Sequence, residues 1–294
     1  MIRAEPPPAK TVRYIPDADE GPTTAEYCLY EDVRYGMIPS LMRADARLEI
    51  ACMNITASEV VQFFEPGYGY GQHRQADELV HVLEATAVEI VRCAARAFEI
   101  RDGGEGPLAI TPIASGTWRV IGGELVQQTP KTDAIEGTPL RIILSPSDFG
   151  VISSSQLSAK TAGKMWREIR QLDFASSAVM RQFDPRVDLS RSQAINDVAM
   201  LKASAPIGWL PRPNPENMID HYFAFRTLKF RRCLSTLRAD ILNGMNEVLR
   251  TLGERRGFAA SVSIRGLKAA GEFQSAIDDL LAGRVGPSIV KDFW

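Results

Sequence analysis

Between Phe230 and Leu252, apolar side chains recur at steps of three or four: Phe230, Leu234, Leu237, Ile241, Met245, Val248 and Leu252. That spacing predicts one long helix with a single buried seam. Asn214 is a good N-cap, and Pro215 occupies the first helical position, where its missing N–H costs nothing. Glu216 and Asp220 put negative charge at the positive end of the helix dipole. Gly253 is placed to end the helix, with Gly257 just beyond. From Pro215 to Leu252 such a helix spans roughly 55 Å. Gly244 is its one interior weak point and a candidate bend.

A second helix is expected over Gln75–Ala97, where Leu79, Leu83, Ala87, Ile90 and Ala94 form a stripe. The period then falls to two. Phe98-Glu-Ile-Arg, the turn Asp102–Gly106 and Leu108-Ala-Ile-Thr read as a hairpin; Thr117–Ile121, Gly122-Gly123 and Glu124–Gln127 read as another. Pro139–Leu144 supplies one more strand. Helical rhythm appears at Ala44–Ile50 and returns at Ser158–Phe183 and Ser192–Ala203. Ala205–Pro213 carries three prolines and reads as a stiff projecting turn. Phe258–Ile264 alternates as a strand, and Ala269–Ala282 forms a last helix stopped by Gly283. The expected class is α+β and helix-dominated: a small antiparallel sheet plus two long helices around a Pro-rich excursion.

Composition changes this picture little. At 294 residues, 45% apolar and 24% charged, the chain has the makeup of a soluble globular protein. The formal net charge of −2 argues against a generic nucleic-acid coat. Cys28, Cys52, Cys93 and Cys233 are widely spaced with no CxxC pair, so buried reduced thiols are expected rather than a zinc or disulfide framework. No signal-peptide pattern or bilayer-length apolar run is visible, which suggests an intracellular setting without a membrane. Residues 1–24 carry Pro6, Pro7, Pro8, Pro16 and Pro22 and few large apolar groups; they read as an extended arm that a partner would order.

Candidate chemistry is sparse. Arg226, Lys229, Arg231, Arg232 and Arg238 have no acid among them. They form either a solvated basic face or a face that meets phosphate, carboxylate or a neighbouring subunit. Trp209, between Pro206 and Pro211, is either an anchor at a projecting tip or a core-filling side chain. His73, Asp77 and His81 share a helical face without metalloprotease spacing, so a solvated polar face competes with a metal site. Gly-Tyr-Gly-Tyr-Gly71 lacks dinucleotide-binding spacing. There is no G-x-S-x-G and no G-x-x-x-x-G-K-[ST]. Asp17/Asp19 and Asp278/Asp279 suggest no matched acid and base, and Ser153-Ser-Ser155 reads as a loop or cap. No cofactor, metal or catalytic residue is expected.

The order of elements resembles bacteriophage portal proteins, the ring subunits of the DNA entry vertex in tailed-phage capsids. A helix running into Ala97-Phe-Glu-Ile-Arg-Asp-Gly-Gly and then Leu108-Ala-Ile-Thr-Pro-Ile is similar to the portal wing, with its E-I-x-x-D-G hairpin and L-x-P-I strand. Long helices near Ser158–Phe183 and Pro215–Leu252 bracket a Pro-rich polar excursion, as stem helices bracket a clip. Ile264-Arg-Gly-Leu and a helix ending Leu280-Leu-Ala-Gly-Arg-Val285 look like the segment returning to wing and crown. The resemblance divides the chain into an arm (1–24), a wing-like region (25–157), a first stem-like helix (158–183), a clip-like excursion (184–214), a second stem-like helix (215–253) and a returning strand and helix (254–294).

It implies a homo-oligomeric head-to-tail connector ring of about twelve subunits, closed by a heterologous interface. The ring would sit at a virion capsid vertex after assembly in the host cytoplasm. It would pass double-stranded DNA during packaging and ejection without base readout. Its partners would be the major capsid protein, the terminase large subunit and a tail adaptor. The seam Phe230, Leu234, Leu237, Ile241 and Met245 would pack, the five cations would meet DNA or a neighbouring subunit, and Trp209 would mark the clip tip. Two other classes remain open: an enzyme, marked by a deep polar pocket with perturbed titratable groups, and another capsid or scaffold protein, marked by different stoichiometry.

Overall fold

The protein is described here from a computed structural model that covers residues 23–38, 46–64, 75–101, 108–128, 141–181, 189–211 and 219–293. Its class is α+β and helix-dominated. The helices are α1 (Thr24–Met37), α2 (Ala57–Phe63), α3 (Gln75–Cys93), α4 (Ala159–Arg181), α5 (Leu189–Ala203), α6 (Asp220–Arg256) and α7 (Ala270–Leu281), followed by a 3-10 segment, Pro287–Phe293. The strands are β1 (Arg47–Met53), β2 (Ala95–Arg101), β3 (Ala109–Pro112), β4 (Trp118–Ile121), β5 (Glu124–Gln128), β6 (Arg141–Leu144), β7 (Phe149–Ser153) and β8 (Ala259–Arg265).

Among the described residues these strands form three separate antiparallel sheets, β1-β8, β3-β2-β7 and β4-β5-β6, rather than one. Both expected hairpins are present, with Arg101 opposite Ala109 and Ile121 opposite Glu124. Ala44–Ile50 was expected to be helical; strand β1 stands there instead. It pairs over its full length with β8, from Arg47 opposite Arg265 to Met53 opposite Ala259. Leu48 and Ile50 turn toward the core while Glu49 meets Arg265 at 2.7 Å outside it. The period of two wins because a distant strand supplies the backbone partners.

Helix α6 is the spine. Its 37 residues run about 55 Å. The expected N-cap, Asn214-Pro215, lies outside the described residues. At the other end the helix continues past Gly253 and stops at Gly257, which takes the left-handed conformation (φ 76°) and donates its N–H to Gly253 O at 2.8 Å. Gly253 stays inside the helix, where a Cβ would run into the carbonyl oxygen of Phe258. The helix also runs on through Gly244. That glycine lets α6 approach the sheet, since a Cβ would sit 2.6 Å from Ile152 Cγ1.

One apolar core runs from α1 through α3, α4 and α6 to β8, and includes Leu29, Leu83, Ile90, Trp166, Ile169, Leu237, Ile241, Leu249 and Val262. Burying each such side chain contributes about 1.5–3 kcal/mol. A smaller core joins the start of α6 to α7 and the 3-10 segment through Leu228, Phe273, Ile277 and Leu280. A third, around Leu125, Ala97 and Ile113, roots the β4-β5-β6 sheet. The wing-like and stem-like parts therefore share one interior.

Two capping boxes set helix starts that the sequence reading passed over. Thr23 and Glu26 cap α1 with Thr23 N–H donating to Glu26 Oε2 at 2.8 Å, and Thr56 and Glu59 do the same for α2 at 2.9 Å. α3 ends earlier than expected, at Cys93, because Ala94 turns to φ 66° and releases the chain into β2.

Candidate functional site

The basic cluster of α6 is the place to look first, and the structure corrects its reading. Arg226 is not a surface contact. It is 2% exposed, and its guanidinium donates to Gly208 O (3.2 Å), Leu201 O (2.9 Å), Ser204 Oγ (2.8 Å) and Trp209 O. Four acceptors satisfy a charge that has no carboxylate beside it among these bonds. Burial lowers its pKa from the ordinary arginine value, with the Tyr222 hydroxyl opposing. Gly208 makes this clamp feasible: at φ 83°, a Cβ would sit 2.8 Å from Phe230 N, so only glycine lets the turn lie on α6.

Lys229 Nζ donates to Ala205 O at 2.7 Å on the same turn, and burial among Arg226 and Arg232 lowers its pKa. Arg232 Nη1 donates to Gln274 Oε1 of α7. Arg238 is the second correction: Nε donates to Met37 O at 2.6 Å and Nη2 to Gly36 O at 3.2 Å. It thereby caps the carbonyls at the end of α1 and meets the negative end of that helix dipole. Burial, helped by Arg231, brings its pKa down to about 10. Arg231 itself is half-buried. Arg226, Lys229, Arg232 and Arg238 are thus each bound within the protomer's own fold to at least one oxygen acceptor.

Trp209 is not a tip. It is 1% exposed, and its indole N–H donates to Asp32 Oδ2 of α1 at 2.8 Å. Ile207 and Pro211 are buried with it, so Ala205–Pro211 folds inward instead of projecting. The remaining residues 212–213 of that stretch lie outside the described part. The seam goes to the same interior: Leu234, Leu237, Ile241 and Met245 are buried, and Phe230 packs half-buried against them. It is filled by α1, α3 and the sheets rather than offered to a neighbour.

The other candidate chemistry stays dispersed. His73 lies outside the described residues, and His81 is exposed with Nδ1 3.5 Å from Glu84. Desolvation raises the pKa of Glu84, and His81 opposes the shift. Among the described residues no group of three or more His, Cys, Asp or Glu is placed to hold a metal ion. Ser155 donates from N and Oγ to Asp240 of α6 at 2.8 and 3.0 Å, while Ser154 Oγ accepts from Gln156 and Leu157. Asp279 pairs with Arg284, and Asp278 accepts from Gln274 at 2.7 Å. Each of these polar groups ties chain to chain. No described helix is long and apolar enough to cross a membrane.

What the fold leaves open is apolar surface. Tyr27 and Tyr35 on α1, Ile195 and Val198 on α5, Ile219 and Tyr222 at the start of α6, Leu281 on α7, and Ile121 and Ile143 on the β4-β5-β6 sheet are exposed. Sequence periodicity could not mark them, because it reports which face of a helix is apolar and not which apolar face is covered.

The chain overlays loosely on a phage portal protein. That structure is a HK97 family phage portal protein from Corynebacterium diphtheriae; the match has 12% sequence identity and a TM-score of 0.44, and covers 88% of this chain and 99% of that one. No role of any residue rests on it. No protein-family profile matches the sequence, and neither does any curated protein.

Proposed function

We propose that the chain is a structural, non-enzymatic subunit of a homo-oligomeric portal ring. The observation that carries this reading is the order of elements: α3 feeding the β2-β3 hairpin, then α4 and the 37-residue α6 on either side of a Pro-rich excursion, then β8 and α7 packing back on α6. That is the order in which the sequence resembles portal wing, stem and returning segment. A helix of about 55 Å, stapled over its first half by the cations between Arg226 and Arg238, is a stiff strut. Exposed apolar groups on α1, α5, α6 and α7 support further burial between copies.

In this reading about twelve copies close a heterologous ring at a capsid vertex. The ring is assembled in the host cytoplasm, contacts the major capsid protein, docks the terminase large subunit and later a tail adaptor, and passes double-stranded DNA. The buried Arg226 and the half-buried Arg238 hold the strut together and are not its DNA contacts. Imaging the purified protein by negative stain, with light scattering for mass, tests the proposal. Closed rings of about a dozen copies with a duplex-wide hole are the expected result. A species that stays a monomer or dimer even when co-expressed with a capsid shell overturns it.

A further inference from the structure

The outer face of the β4-β5-β6 sheet is basic and apolar. Registers place Arg119 opposite Val126 and Val126 opposite Ile143, with Ile121 opposite Glu124 and Gln128 opposite Arg141. Because side chains alternate, these share one face, while Trp118, Leu125 and Leu144 belong to the small core on the other. Ile121 and Ile143 stay 53% and 52% exposed, and Arg119 and Arg141 are exposed beside them. Neither arginine has an ion pair among the described residues. The two are two strand spacings apart and offset by two residues, a separation of about 12 Å. Ile121 and Ile143 are separated in the same way, so a basic row and an apolar row cross the strands side by side.

A second exposed face has the opposite makeup. On α1, Tyr27, Glu31 and Tyr35 stand four residues apart and so share one side of the helix. Tyr27 and Tyr35 are 57% and 66% exposed, and the Tyr35 hydroxyl donates to Glu31. Glu84 of α3 lies close enough to act on the same tyrosine. The basic groups already there are Arg34, 3.5 Å from Glu31, and His81, 3.5 Å from Glu84. Carboxylates beside exposed aromatic rings suit an incoming guanidinium, which meets oxygen at its edge and a ring at its face. From Tyr27 to Tyr35 the helix rises about 12 Å, which matches the separation of Arg119 and Arg141. Within one chain the two faces do not cover one another, since the large side chains on both remain exposed.

We propose that α1 of one copy lies across the outer face of the next copy's β4-β5-β6 sheet, with Tyr27 and Tyr35 stacked on Arg119 and Arg141 and Glu31 between the two guanidinium groups. Ile121 and Ile143 are then covered by the flank of the same helix, as a half-apolar sheet face requires. Two unlike surfaces that fit each other make a heterologous contact, the kind that repeats from copy to copy. The charges fix the orientation of the contact, and the aromatic and apolar side chains hold it. This inference rests on the ring reading for its occupant, a second copy, and names the surfaces by which copies join.

Chemical cross-linking tests it. Thr24→Cys on α1 and Gln128→Cys on the sheet are both exposed and leave every proposed contact in place. They are introduced together in a Cys52→Ser background, which removes the exposed native thiol. A flexible bis-maleimide is added to the preparation that is imaged for rings, and the products are sized under denaturing conditions. The expected result is a ladder of covalent multimers, whereas a mixture of the two single-cysteine chains stops at the dimer. Glu31→Lys should lower the ladder yield about tenfold, and adding Arg119→Glu with Arg141→Glu should restore it. Closed rings without a ladder overturn this contact and leave the ring reading standing. A ladder without closed rings upholds the contact and removes the ring. Neither ladder nor rings overturns both. A bridge formed only within single chains, or a ladder insensitive to Glu31→Lys, overturns the assignment of these two faces.

Discussion

Two stretches of the same helix carry similar densities of arginine and use them in opposite ways. From Arg226 to Arg238 there is no acid, and the cations bend inward to backbone carbonyls of the 201–209 turn and the end of α1. From Glu247 to Arg256 acids are interleaved, and Arg250 is held in solvent by Glu247 and Glu254 at helical spacing. Arg226 and Arg238 thus do structural work that Arg250 does not, while Arg255, which has no acid a turn away that holds it, reaches Ser147 O and Asp148 of the turn before β7. A cation with no carboxylate in reach becomes useful where helix C-termini present unpaired carbonyls. One with carboxylates a turn away stays at the surface, where such pairs contribute little.

Substitutions can break this contrast. Arg226→Met should have the largest effect, lowering stability by about 3 kcal/mol in urea denaturation, because it takes the donor away from the buried oxygens of Gly208, Ser204 and Trp209. A loss no larger than that of a surface substitution would mean the turn is held by Trp209 and Ile207 alone. Arg238→Met should cost about 2 kcal/mol, as the Gly36 and Met37 carbonyls lose the guanidinium that caps them.

Cys233 sharpens the picture from the same stretch. Burial pushes its thiol up to about 12, and that of Cys93 up to about 11, from an ordinary 9.0. The folded state keeps protons that the unfolded chain releases. Stability from these groups is intact below pH 9 and is lost as pH rises toward the folded values, at about 1.4 kcal/mol per unit per thiol. Urea midpoints at pH 7 and pH 10.5 should fall by less in Cys233→Ala than in the parent. Equal falls would show that the thiol titrates freely. At the small end, Arg250→Ala should leave the urea midpoint unchanged; a clear drop would erase the distinction between the two stretches.

Much of the fold was legible where the signal is local. The seam of α6, the two Gly-turn hairpins and the Gly283 stop are written in spacing and turn chemistry within a few residues. The boundaries that slipped did so for tertiary reasons. Gly253 looks like a helix end but is a close approach to Phe258, and Ala44–Ile50 looks helical until β8, some two hundred residues later, provides its partner. α1 left a signal that went unused, the Thr23-x-x-Glu26 box. The candidate site was the least legible part: a run of cations reads the same whether solvent, DNA or its own carbonyls will receive it.

By itself, the sequence determined the helix-dominated class and the long spine, because these follow from local periodicity. Only the tertiary structure decided that Arg226, Arg238 and Trp209 face inward, that the seam is spent inside one protomer, and that Ile121, Ile143 and their flanking arginines face out. Burial is a property of what arrives from elsewhere in the chain, and charge or hydrophobicity at one position cannot state which neighbour arrives.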